Sequence, residues 1–388
     1  MKHHAFTETE ERRSLRTEVA KLASGYGREY FVKQAHSGAK TTDLWLEIGR
    51  HGYLGVAIPE EYGGGGGGIG DLAAVCEELA AAGCPLLMMI VSPAICGTVI
   101  SRFGTEEQKQ RWLPSIADGT LMMAFAITEP DAGSNSHNIT ATARREGGGW
   151  VLNGRKIYIS GVGEAGAVLV VARTEDARTG KLKPALFVVP TDAPGVEYQP
   201  IEMEIVSPEK QFTVFLDDVR LPADALVGDE NAGIAQLFAG LNPERIMAAA
   251  FANGIGRFAL GKATEYVKGR EVFGVPIGTH QGVAHPLAQS KIEIELARLM
   301  TQKAAALYDS GDDLAAGEAA NMAKYAAGEA ACAAADRAVQ VHGGNGMTTE
   351  YGVAGLLVAA RATRIAPVSR EMILNFVGSH SLGLPKSY

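Results

Sequence analysis

Positive charge is the first thing this sequence lacks. Its 36 Lys and Arg are outnumbered by 44 Asp and Glu, which leaves a net charge of −8. A nucleic-acid partner therefore has no electrostatic support. Long apolar runs are missing as well: residues 86–96 come nearest, and Ser92 and Pro93 interrupt them well short of a membrane span. The first twenty residues hold Glu8, Glu10, Glu11, Arg12 and Arg13 and no apolar stretch, so no secretion signal is expected. Cysteines are few, at 76, 84, 96 and 332, and none forms a CxxC pair. Reduced, mostly buried thiols and a cytoplasmic location are the expectation. Without a secretion route the sequon Asn138-Ile139-Thr140 carries no meaning, and no metal site is expected. What is present is a chain of 388 residues that is 46% hydrophobic, enough for one large or two to three modest domains.

Helix-favouring residues crowd 8–35 and 43–54. Six consecutive glycines follow at 63–68. No Gly-Lys-Ser/Thr comes after them, so they are read as a flexible connection before a helix over 71–82 and not as a phosphate loop. Thr105 is a good N-cap, with Glu106 and Glu107 in the first turn of the helix it starts. From 121 to about 230 the period changes. Strand-like runs at 139–143, 150–152, 156–160, 167–172, 185–190 and 212–216 are separated by Gly, Asp and Pro turns, which predicts an antiparallel β domain. Gly161, Gly163 and Gly166 satisfy G-x-G-x-x-G. A strand-like run follows them where a dinucleotide site needs a helix, so a Rossmann site is rejected. Beyond 231 the pattern is helical. Ile292, Leu296, Leu299 and Met300 make one apolar stripe, and 315–341 is alanine-rich, which suggests an antiparallel bundle. The expected domains are 1–120, 121–231 and 232–388.

Two strings stand out. The first, FAITEPDAGSN from Phe125, packs Thr128, Glu129, Asp131, Ser134 and Asn135 around Pro130 and Gly133. Such a loop can present hydroxyls and bare N–H groups to a flat polar heterocycle, and a polar surface turn is the other reading. The second is NGRKIYIS. Asn153-Gly154 reads as a hairpin turn, with Tyr158 and Ser160 on one face of the following strand.

Together the two strings resemble the acyl-CoA dehydrogenase family, in its T-E-P-x-A-G-S segment and the later N-G-x-K-x-(aromatic)-I-(Ser/Thr). Tyr158 stands where tryptophan is common and Asn135 where aspartate is common. The resemblance covers nearly the whole chain. It implies an N-terminal helical domain, a central antiparallel β domain and a C-terminal four-helix bundle. It also implies FAD, with Phe125, Ile127, Thr128, Ser134, Tyr158 and Ser160 around the isoalloxazine. The implied reaction removes two hydrogens across Cα–Cβ of an acyl-CoA thioester: a carboxylate takes the α-proton and the flavin N5 accepts the β-hydride.

The commoner position of that carboxylate follows Q-x-x-G-G-x-G, here Gln340 to Gly346, and falls within 366–372. Arg370 occupies it and stays protonated, while Glu371 would point about 100° away on a helix. A smaller group of the family carries the base in an E-R string after the β domain, matched by Glu244-Arg245. Asn242 reads as an N-cap and Pro243 as a first helical residue, which puts Glu244 in the first turn. The resemblance makes Ser134, Asn242 and Arg245 candidates for substrate contact. Arg270, Phe273 and Gln281 match R-x-x-F-G-x-x-I-x-x-x-Q. With Gln340, Gly343 and Gly344, they imply contacts to FAD across a subunit boundary, hence a homo-oligomer, usually a dimer of dimers. An electron-transferring flavoprotein is the implied acceptor. Ala362 replaces a common aspartate. A flavin monooxygenase or oxidase on the same fold, and a non-catalytic subunit of a hetero-oligomer, are the competing readings.

Overall fold

The computed structural model describes residues 8–176, 179–230 and 234–386. The expected junction at 231–232 lies outside them. In the N-terminal part, Gly25 ends one helix and the next begins at once, so 8–35 forms α1 (Glu10–Ser24) and α2 (Gly27–Ser37). After α3 (Thr42–Arg50) and α4 (Ile69–Ala81) comes a π-helical segment, Ile90–Gly97, that runs straight into α5 (Thr98–Phe103). We call this continuous stretch the wall helix. Thr105 caps α6 (Glu106–Ala117), as the sequence predicts, and with Gln108 it forms a capping box.

The glycine run is not a flexible connection. The N–H groups of Gly64 to Gly67 bond to carbonyls of Gly55, Val56, Ile58 and Pro59. A Cβ on Gly64 would sit 2.0 Å from the Ile58 oxygen, so only glycine allows this approach. Asp309, from the C-terminal part, accepts the N–H groups of Ile69 at 2.7 Å and Gly70 at 3.1 Å, and so caps α4 from another domain.

The middle part holds β1 (Met123–Ala126), β2 (Thr142–Glu146), β3 (Gly149–Ser160), β4 (Ala167–Glu175), β5 (Leu182–Pro190), β6 (Val196–Ile201), β7 (Gln211–Leu221) and β8 (Leu226–Val227). The order is β6-β7-β3-β2-β4-β5-β8, with β1 beside β4. Pairing is antiparallel except where β1 and β2 meet β4. A strand, β4, follows Gly161–Gly166, in agreement with the rejected dinucleotide fingerprint. Asn153-Gly154 is no turn. It lies inside β3 at a bulge, and the β2–β3 hairpin turns at Gly147-Gly148, both with positive φ. Alternation buries β1 and β4 on both faces. Phe125, Leu169 and Val171 join the core shared with the helices, while Ala124, Val168 and Val170 join the core of the β domain.

The C-terminal part comprises α7 (Ile234–Gly269), a hairpin of β9 (Glu271–Val272) and β10 (Val275–Pro276), then α8 (Gln281–Asp309), α9 (Asp313–His342), α10 (Gly355–Ile365) and α11 (Arg370–Phe376). Buried alanines on α9, such as Ala320, Ala327, Ala331 and Ala334, allow α7 to come close. At the contact a Cβ on Gly256 would be 3.3 Å from the Ala331 Cα. The predicted stripe on α8 is on the wrong face. Ile292 and Leu296 are 61% and 62% exposed, and the buried face carries Leu287, Ile294, Ala297 and Ala304. Arg16, Arg257 and Arg298 pair with Glu77 and Glu78, tying α1, α4, α7 and α8 together.

Candidate active site

Glu244 sits well inside α7, not in a first turn, because the helix starts at Ile234. Asn242 therefore caps nothing here. Its amide donates to the Asp313 carbonyl at 3.1 Å and its oxygen accepts from Arg245 Nη1 at 3.2 Å. Pro243 lacks the N–H that would bond the Ala239 carbonyl, and the Tyr308 hydroxyl donates to that carbonyl instead, at 3.3 Å. The helix dipole acts only near a terminus, so it does not lower the Glu244 pKa. Burial raises it to about 7, opposed by Arg245 and Lys324. The side chain stays half-buried and hence reachable. Burial lowers the Arg245 pKa, with Glu244 acting against it, and pushes Lys324 down to about 8. Arg245 Nε is buried without a hydrogen-bond partner among the described residues.

The wall helix joins Glu244 to the flavin-type segment. Its Cys96 lies close enough to Glu244 for that carboxylate to add to burial in raising the thiol pKa. Cys96 Sγ also donates to the Ala124 carbonyl of β1 at 3.4 Å. On from β1, Phe125 is buried, Ile127 and Thr128 are half-buried, and Gly133, Ser134 and Asn135 are exposed. Lys156 and Glu129, both buried, hold this loop. Lys156 Nζ donates to the Ile127 carbonyl at 3.1 Å and to Glu129 at 2.8 Å. Glu129 also accepts from the N–H groups of Thr140 and Ala141, and Ile157 N–H donates to the Thr128 carbonyl. No role for this pair was legible in the motif, although both residues belong to it.

Tyr158 and Ser160 do not simply share a face. The bulge between Lys156 and Ile159 breaks the alternation, and Tyr158 takes φ 58° with its ring 57% exposed. Left-handed backbone at a bulky residue is strained. Ser160 Oγ donates to Gln211 at 3.0 Å.

Of the remaining candidates, those of the 340–344 turn lie elsewhere, near Tyr266. Its ring stacks on His342 at 4.1 Å and its hydroxyl accepts from Asn345 at 3.0 Å. This brings the Gln340, Gly343 and Gly344 turn to the root of the β9–β10 hairpin. Arg270, Gln281, Gln340, Gly343 and Gly344 are all exposed, and Phe273 is 94% exposed at the hairpin tip, with φ 56°. Arg370 opens α11 and pairs with Glu329 and Glu371, both at 3.3 Å, so the slot near the C-terminus holds a cation in ion pairs.

Three family models match: the N-terminal domain of acyl-CoA dehydrogenase over residues 9–120, its middle domain over 124–219 and its C-terminal domain over 231–382. This chain belongs to the acyl-CoA dehydrogenase family. It is 67% identical over 384 residues to acyl-CoA dehydrogenase FadE12 of Mycobacterium tuberculosis, covering 99% of each chain. Among solved structures it is similar to the glutaryl-coenzyme A dehydrogenase glutaryl-CoA complex, with 30% identity, coverage of 99% and 98%, and a TM-score of 0.94. A glutaryl-CoA dehydrogenase from Mycobacterium smegmatis in complex with FADH2 aligns at 27% identity, coverage of 98% and 97%, and a TM-score of 0.90. Among the described residues no helix is long and apolar enough to cross a membrane, and no cluster of metal-ligating side chains occurs.

Proposed function

We propose that this acyl-CoA dehydrogenase uses Glu244 to abstract the α-proton of its acyl-CoA substrate. As a member of the family the chain is an FAD-dependent oxidoreductase acting on acyl-CoA thioesters. When bound, FAD supplies the acceptor for the β-hydrogen and its electron pair. The residues present fit that cofactor: an aromatic ring held exposed on strained backbone at Tyr158, beside a polar loop whose Gly133 has no neighbour a Cβ would meet. Phe125, Ile127, Thr128, Ser134 and Ser160 complete the flavin side of this reading. Phe125 is buried, so it offers backbone and not its ring.

One observation carries the proposal. A half-buried carboxylate, raised by burial to about 7, lies against the same helix that holds β1, where the flavin segment begins. A base near neutrality matches proton abstraction at working pH. The buried, unpartnered Arg245 Nε leaves a donor beside it for a substrate acceptor, with Asn242 holding the guanidinium. Arg270, Phe273, Gln281, Gln340, Gly343 and Gly344 face outward, which supports a homo-oligomer in which they reach the FAD of another copy. Free cysteines support the cytoplasm as its compartment, and an electron-transferring flavoprotein is the proposed acceptor.

The test is anaerobic bleaching of the flavin by a panel of acyl-CoA thioesters. Glu244→Gln is expected to stay yellow with FAD bound and to be reduced at least about 100-fold more slowly. Reduction of that variant at the wild-type rate would remove Glu244 from the mechanism.

A further inference from the structure

Glu209 is an acid where none is needed for the reaction described above. It lies in the link 202–210 between β6 and β7 and is 5% exposed. Its two oxygens accept from two backbone amides of the N-terminal domain: Leu87 N–H at 2.5 Å and Met88 N–H at 3.1 Å. Helix begins at Met88 and continues through the wall helix. The carboxylate is thus an N-cap supplied by another domain. It satisfies donors that the helix itself leaves open.

The same link holds the end of β3. Gly161 N–H donates to the Lys210 carbonyl at 2.9 Å, and Ser160 bonds Gln211. Met88 packs against Gly161 so closely that a Cβ there would be 2.5 Å from its sulfur. Downstream, the wall helix touches both halves of the site. Ser92 Oγ accepts from Met123 N–H of β1 at 3.0 Å. Ile95 and Val99 press on Gly240, where a Cβ would be 3.3 and 2.9 Å from their methyl carbons, one turn before Glu244.

We infer that Glu209 is a positioning residue that sets where the wall helix sits between the flavin segment and the base. Burying an acid is costly, and here the carboxylates of Glu209 and Glu164 repel each other. Burial raises the Glu209 pKa to about 8, against the two amides, and Glu164 adds the smallest push. Lys40 eases the Glu164 charge from the other side, and Cys76 of α4 feels that of Glu209. A group kept at that cost, with both oxygens committed to one helix start, holds the register of that helix. An apolar or single-acceptor side chain would leave at least one buried N–H open.

The inference rests on the reading of Glu244 as base, and its test separates the two. Glu209→Ala and Glu209→Gln are made in the full FAD-loaded protein. Amide hydrogen exchange over 87–97 is expected to speed at least tenfold in Glu209→Ala and less in Glu209→Gln, which keeps one acceptor. Exchange in α9 should be unchanged. The limiting rate of flavin reduction should fall at least tenfold, with the half-saturating acyl-CoA concentration changed less than threefold. Unaltered exchange over 87–97, or faster exchange with an unaltered limiting rate, overturns the inference. If Glu209→Ala does not fold, Glu209→Gln decides it by the same two measurements. A wild-type flavin that no acyl-CoA bleaches counts against the base reading and leaves the exchange result standing.

Discussion

Glu244 carries two opposing charges of meaning in one side chain. To act as a base it must be ionised, yet burial favours the protonated form. With its pKa raised to about 7, flavin reduction should rise with pH, reach half its maximum near 7 and level off above. Lys324 holds that value down, so Lys324→Met should move the midpoint to higher pH; stopped-flow reduction from pH 5.5 to 9 reads it. The sign for stability is the reverse of that for activity. A folded pKa above the unfolded one means that stability is fullest below the usual 4.5 and declines as pH rises through 7. The residue itself was legible in its E-R string, but its setting was not. Asn-Pro mimics a helix start, and no local signal says that a tyrosine from α8 repairs the helix at Pro243.

At the scale of elements, the loop after β1 is held by a buried charge pair and not by strand pairing alone. Lys156 and Glu129 are each almost wholly enclosed. Burial works against the Glu129 carboxylate, yet Lys156 and the amides of Thr140 and Ala141 hold its pKa below the usual range. Removing one partner strands the other's charge. Lys156→Met should cost about 3–5 kcal/mol in denaturant unfolding, with weaker FAD retention. Lys156→Met with Glu129→Gln should recover part of that loss, a coupling that a double-mutant cycle measures. A loss in the double variant equal to the sum of the two single losses would show that the two act separately. The alternation of strands was readable here, and so was the strong pull of Gly-rich turns. What period-two reasoning missed is that β3 runs on through Asn153-Gly154 and that a bulge turns Tyr158 out of register. Bulges are set by the partner strand, here β7, and a partner is invisible to a local pattern.

At the scale of the molecule, the stripe Ile292, Leu296 and Leu299 was read correctly as apolar and wrongly as core. The face of α8 that the bundle buries mixes Leu287, Ile294 and Tyr308 with small residues, Ser290, Ala297, Thr301 and Ala304, which meet the alanines of α9. Small residues hardly register in hydrophobic periodicity, so the larger side chains were mistaken for the inward face. Their exposure is the informative part: monomers rarely leave such a stripe to water. Phe273, exposed on a left-handed turn, is a second unpaired apolar group near the Arg270 and Gln281 positions. Both support the proposed homo-oligomer, in which another copy of the chain would cover α8 and receive the hairpin. Ile292→Glu with Leu296→Glu should therefore shift sedimentation velocity to smaller species and weaken FAD binding, since the outward contacts would be lost. Far-UV dichroism should stay unchanged, because the buried face of α8 is untouched. Phe273→Ala should weaken FAD binding with little effect on monomer stability, its ring having no core to leave. An unchanged sedimentation coefficient in the double variant would assign the stripe to a partner of a different kind and detach the hairpin from the cofactor.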